Sequence, residues 1–136
     1  MPKNQDIRWK QRLQNFHKAF TQLESASKVE NPDALQKQGV IQCFEYTFEL
    51  AWKTLQDYLS DEKGYGDIRG PRPVLEQAFQ DGIIQDGVLW LDMLKSRNLT
   101  THLYDEAQMQ AIYEKVVRDY FPHFLNLKQY FEKHAS

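Results

Sequence analysis

The chain has 136 residues, 41% of them hydrophobic and 26% charged, a length and balance that suit one hydrophobic core and exclude an intrinsically disordered segment. A formal net charge of −2 excludes a whole-molecule basic field for holding a long duplex, so any contact with nucleic acid has to be local. A single cysteine, Cys43, excludes an internal disulfide and fits a reducing cytoplasm.

The segment from Met1 to Arg12 is polar and charged with no apolar stretch, and no run is long enough to span a bilayer, so a soluble cytoplasmic protein is expected. Apolar side chains then recur at Trp9, Leu13, Phe16, Phe20 and Leu23, the spacing of one helix face, which predicts a first helix from Asp6 to about Lys28. Asn31-Pro32 follows, with Asn suited to an N-cap and Pro to the first helical position. A longer second helix carries Val40, Ile41, Phe44, Phe48, Ala51, Trp52, Leu55, Tyr58 and Leu59 on its apolar face and gives out near Lys63-Gly64.

Residues Gly64 to Pro73 hold three glycines and two prolines and read as a loop. Their spacing misses the dinucleotide fingerprint, and the Lys-Ser/Thr of a P-loop is absent, so no phosphate cradle of those types is expected. A short third helix should cover Val74 to about Phe79, stopped by Gly82. Asp86 can cap a fourth, carrying Leu89, Trp90, Met93 and Leu94. Asp105 or the residue before it can start a long fifth helix through Ile112, Val116, Tyr120, Leu127 and Phe131, kinked at Pro122. No stretch alternates convincingly over strand length, so the expected fold is all-α: an up-and-down bundle of four to five helices forming a single domain over residues 1–136.

The fourth helix runs into Arg97-Asn98-Leu99-Thr100-Thr101-His102-Leu103-Tyr104, which puts a permanent cation, an imidazole and a phenol within eight residues. A guanidinium presents a rigid fork of donors that matches a phosphate, and an imidazole can give or take a proton near neutral pH. Such a set suits attack of an RNA 2′-hydroxyl on its adjacent phosphorus, with His102 as base or acid, Arg97 holding the charge that gathers on the phosphate oxygens and Asn98 as an orienting donor. If the helix continues through the stretch, Asn98 and His102 share a stripe and Arg97 lies about 140° from His102 at about 100° per residue. A second copy facing the first across a twofold axis would help both groups reach one cleft. The alternative reading is structural: an arginine and a histidine near a helix end also match the C-terminal dipole or form a surface pair.

Arg97-x4-His102-x-Tyr104, with Asn98 directly after the arginine, resembles the Arg-x4-6-His motif of HEPN proteins in the form found in HEPN toxins paired with minimal nucleotidyltransferases. Phe44-Glu45-Tyr46-Thr47-Phe48-Glu49-Leu50-Ala51-Trp52-Lys53, Pro71-Arg72-Pro73-Val74-Leu75 and Leu89-Trp90-Leu91-Asp92-Met93-Leu94 resemble the nucleotidyltransferase substrate-binding branch of that superfamily, and the likeness runs from about Arg8 to Tyr130. The resemblance implies a homodimer with the two motifs facing a shared cleft, metal-independent RNA cleavage in active members, and inhibition by a nucleotidyltransferase encoded by a neighbouring gene. It further implies adenylylation of the tyrosine matching Tyr104. Nucleotide phosphates there would set negative charge and bulk beside Arg97 and His102. The alternative it leaves open is a non-catalytic subunit that presents a substrate to the nucleotidyltransferase, and a purely structural helical dimer is the third reading.

Glu45 and Glu49, one turn apart, are read either as cleft carboxylates that position Arg97 or a partner, or as a surface ladder in which Glu49 pairs with Lys53. Asp92, five residues before Arg97, is a second candidate for orienting it. The four histidines show no paired ligand spacing, so no metal and no other cofactor is expected. Trp9, Trp52 and Trp90 fall at helical spacing and read as core, while Arg69 and Arg72 on the loop could guide RNA or the partner towards the cleft.

Overall fold

Trp9, Leu13, Phe16, Phe20 and Leu23 are buried along one stripe of α1 (Lys3–Ser27), and that stripe packs against α2 (Ala34–Glu62) as a helical hairpin. A computed structural model describes residues 3–102 and 105–134, with side chains from Arg8 onward. The remaining elements are α3 (Pro71–Gln80), α4 (Gly87–Leu99), a 3₁₀ turn (Thr100–His102), α5 (Glu106–Lys115), a π-helical turn (Val116–Tyr120) and α6 (Phe121–His134). Among the described residues there is no strand, and no helix is long and apolar enough to cross a membrane. The all-α bundle expected from the periodicity is the observed fold.

The start of α2 lies two residues beyond the expected cap. Asp33 is the N-cap: its carboxylate accepts from the Gln36 N–H at 2.8 Å while the Gln36 side chain accepts from the Asp33 N–H at 2.9 Å, a reciprocal capping box. Asn31 instead takes a left-handed backbone, φ 51°, which asparagine tolerates better than most residues. Gly82 closes α3 with a left-handed residue of its own. At φ 76° it donates to Phe79, and the next residue, Ile83, donates to Ala78, which satisfies two of the last carbonyls of the helix.

Aromatic contacts fix how the long segments run. Trp9 meets Phe131 and Phe20 stacks on Phe121, so α6 lies antiparallel to α1, whereas Phe44 meets Phe124 and Tyr58 meets Phe131, so α6 lies parallel to α2. Phe48 against Trp90 and Glu45 against Arg97 set α4 antiparallel to α2. The result is up-down-up-down, with short α3 bridging α2 and α4. Trp9 and Trp90 are core, as their spacing suggests, but Trp52 and Cys43 are only half-buried at its edge.

The expected long fifth helix is divided into α5 and α6 by a π turn just before Pro122. Pro122 has no N–H and its ring would collide with the carbonyl of Arg118, and the chain takes a π turn in which the Phe121 N–H bonds to Val116. One residue of extra phase brings Tyr120 into the core, its ring 5.3 Å from that of Phe44. Its hydroxyl donates to Asp92 Oδ2 at 2.5 Å and accepts from Ser96 at 2.6 Å, pinning the π turn to α4. Burial, then the Asp92 hydrogen bond, push the Tyr120 phenol above its ordinary range, with Ser96 opposing.

The folded state therefore holds the Tyr120 proton more tightly than the unfolded chain does. That stability is intact below about pH 10 and falls as pH rises further, by up to about 1.4 kcal/mol per pH unit from this group. Urea unfolding at stepped alkaline pH measures the slope, and Tyr120→Phe should flatten it; an unchanged slope contradicts the assignment.

Candidate functional site

Arg97 lies in the last turn of α4 on the side that meets α2, and Glu45 and Glu49 stand one turn apart on the facing surface of α2. Its Nη1 donates to Glu45 Oε2 at 3.1 Å, and its Nε lies 3.3 Å from Glu49 Oε1. The second contact is ionic only, because the buried Nε–H is not aimed along a hydrogen bond to any acceptor. Arg97 and Glu45 side chains are each 26% exposed, so the pair is neither a surface pair nor a dry one.

Thr100 completes the clamp. Its hydroxyl lies 2.7 Å from Glu45 Oε2 and 2.7 Å from the Arg97 carbonyl, and Arg97 Nη1 reaches it at 3.3 Å. Glu49 is held from the other side by the Trp52 indole N–H at 3.3 Å and by Lys53 at 3.8 Å. Two carboxylates thus face two cations. Thr100 occupies one of the four unspecified positions of the motif, and its spacing of three from Arg97 is the only sequence signal for its role. Glu45 and Glu49 both face Arg97, and Glu49 also makes the i,i+4 pair with Lys53, so features of both readings of that pair are present.

Beyond Leu99 the α-helix tightens into the 3₁₀ turn that carries His102. The expected continuous α-helix is therefore not what the structure shows. At about 100° per α residue and 120° per 3₁₀ residue, ideal geometry sets Arg97 and His102 roughly 160° apart about the helix axis rather than 140°. Arg97 turns to α2 and His102 is exposed. Asn98 is exposed too and lines a groove of about 600 Å³ with Arg72, Asp92, Lys95 and Leu99. Asp92, expected to orient Arg97, is instead held by the Tyr120 hydroxyl and, at 3.3 Å, by Lys115. Tyr104 lies outside the described residues. Of the two arginines expected on the loop, Arg72 instead lies in the first turn of α3, where it pairs with Glu76 at 3.7 Å and lines the groove, and Arg69 lines a different pocket.

A family model for nucleotidyltransferase substrate binding protein like chains matches residues 11–133. A Haemophilus influenzae protein described as a probable ribonuclease HepT is 31% identical over 81 residues, which are 57% of this chain. The match covers 56% of that protein, so the chain spans little more than half the length of the curated relative. A Thermus thermophilus protein of known crystal structure shares the fold at a TM-score of 0.76 with 33% identity, over 82% of this chain and 94% of that one. A Haemophilus influenzae structure, described as revealing the fold of a substrate binding domain of a nucleotidyltransferase, superposes at 0.75 with 26% identity, over 88% and 98% of the two chains.

A double-mutant cycle with Glu45→Gln and Arg97→Gln measures the clamp directly. For a half-buried pair the coupling should be about 1 kcal/mol in urea unfolding, between exposed and buried ion pairs. Additive losses would show that the two side chains do not stabilise one another.

Proposed function

The chain belongs to the nucleotidyltransferase substrate-binding protein family, and from that premise we propose that it partners a separately encoded minimal nucleotidyltransferase and cleaves RNA without a metal through Arg97 and His102. In this reading the His102 imidazole takes the proton of an RNA 2′-hydroxyl as that oxygen attacks the adjacent phosphorus. The bond to the 5′-oxygen breaks, a 2′,3′-cyclic phosphate forms, and the leaving oxygen takes up a proton. Arg97 opposes the charge gathering on the non-bridging oxygens, with Asn98 as an orienting donor.

The observation that carries this reading is the clamp. A guanidinium held by Glu45, Glu49 and Thr100 is aimed before substrate arrives, so little side-chain freedom is lost on binding. The near half-turn between Arg97 and His102 favours a cleft completed by a second copy. The outer face of α4 supplies a seam for it: Val88 is 81% exposed and Leu99 47%. Tyr104, two residues after His102, is the proposed site of adenylylation, in which its phenolic oxygen attacks the α-phosphorus of ATP and pyrophosphate leaves. The toxin–antitoxin role rests on that modification shutting the cleft.

One observation favours the alternative of a non-catalytic substrate-binding subunit. The two carboxylates that orient Arg97 also neutralise it, and a cation so paired attracts a polyanion less strongly. A substrate-binding domain is also what the Haemophilus influenzae structure is described as.

Purified protein in EDTA should shorten single-stranded RNA and leave cyclic phosphate ends, and His102→Ala should lower the rate at least about 100-fold with the fold intact. Equal cleavage by the variant refutes the catalytic assignment, and no cleavage by the wild type favours the substrate-binding subunit. With the neighbouring nucleotidyltransferase and ATP, intact mass should rise by whole adenylates, and Tyr104→Phe should abolish the gain. Modification that persists in that variant overturns the site.

A further inference from the structure

At the other end of α2 from Glu45, three arginines converge on one pocket. Arg8 and Arg12 from α1 and Arg69 from the loop after α2 line a recess of about 230 Å³ together with Gln56, Asp57 and Ser60. We propose that this pocket is a phosphate-binding site, distinct from the Arg97 clamp, that takes a phosphate of a nucleic-acid backbone or of a free phosphate compound. The proposal does not depend on Arg97 and His102 forming a nuclease.

The charge arrangement carries the inference. Asp57 is the one carboxylate among the lining residues and is tied to Arg12 at 2.9 Å. Its own side chain is 11% exposed, and burial raises its carboxyl above the ordinary range while Arg12 and then Arg8 oppose that shift and neighbouring Asp61 adds to it. Arg12 is thus fixed at the pocket by a partner it must share, and Arg8 and Arg69 reach the same recess from exposed positions, leaving the lining with excess positive charge. Three guanidinium forks offer bidentate donors to phosphate oxygens, which a scattered set of lysines would not.

The pocket is also held in shape. Gln56 accepts from the Gly70 N–H at 3.0 Å, fixing the end of the loop that carries Arg69 against α2. Tyr65 donates its N–H to the Leu59 carbonyl at 3.0 Å at the start of the same loop. The site lies on a polar stripe of α2, Glu49, Lys53, Gln56 and Ser60, whose spacing places it roughly 10 to 17 Å along the helix from Glu49. A strand lying along that stripe could reach both places at once.

The test uses the full chain with the His102→Ala substitution, so that RNA stays intact. Binding of a fluorescent single-stranded oligoribonucleotide is read by anisotropy at stepped salt, and binding of inorganic pyrophosphate by calorimetry, for the parent, Arg8→Gln, Arg69→Gln and the double variant. Each single change should weaken binding about 5- to 10-fold, and the double variant should lower the salt slope of oligonucleotide binding by about one to two. Loss in the oligonucleotide arm alone assigns the pocket to a nucleic-acid backbone, loss in the pyrophosphate arm alone to a free phosphate compound, and loss in both to the shared chemistry. No binding in either arm, unchanged binding in all variants, or an equal loss in Arg118→Gln, an exposed arginine on the π turn, overturns the site.

Discussion

The guanidinium of Arg97 lies between two carboxylates one turn apart on α2, and this contact ties the C-terminal end of α4 to the longest helix of the bundle. Remove it and two half-buried acids are left facing each other beside the aromatic layer of Phe44 and Phe48. Because Glu45, Glu49, Arg97 and Lys53 balance in charge, the site does not draw anions from a distance. Any anion it meets is held at contact range.

Two departures from α-helical geometry flank this contact, and each re-aims one side chain. The 3₁₀ turn tightens the chain after Leu99, and His102 at its end is exposed. The π turn shifts α5 and α6 out of phase by one residue, which brings Tyr120 to Asp92 and Ser96. That exchange explains why Asp92 is unavailable to Arg97: its strongest partner is a phenol 28 positions later in the chain. The same π turn sits directly before Pro122, which has no donor to offer.

α2 carries both the Arg97 clamp and one wall of the three-arginine pocket. Its buried face, Phe44, Phe48, Ala51, Leu55 and Leu59, sets the core, while the polar stripe beside it runs from the Arg97 clamp to the three-arginine pocket. A helix of 29 residues is long enough to carry two separate charge clusters on one rigid element, so their spacing is set by helical rise rather than by loop conformation.

The apolar period of α1 and α2 is legible in the sequence because burial of one helix face repeats along the chain, and so are the Asp86 and Asp105 caps, whose carboxylates act on N–H groups three residues away. The Asn31-Pro32 start misleads because asparagine serves both a cap and a left-handed turn, and only the reciprocal bond between Asp33 and Gln36 separates them. Family motifs point to Arg97, Asn98 and His102, yet the partners of Arg97 lie 48 to 52 positions earlier, and neither period nor spacing selects between facing α4 and facing water. Local order, set by interactions within one or two turns, was thus determined by the sequence alone. Which carboxylate meets which cation, and where Arg8, Arg12 and Arg69 converge, was decided only when aromatic packing fixed the relative positions of helices far apart in the chain.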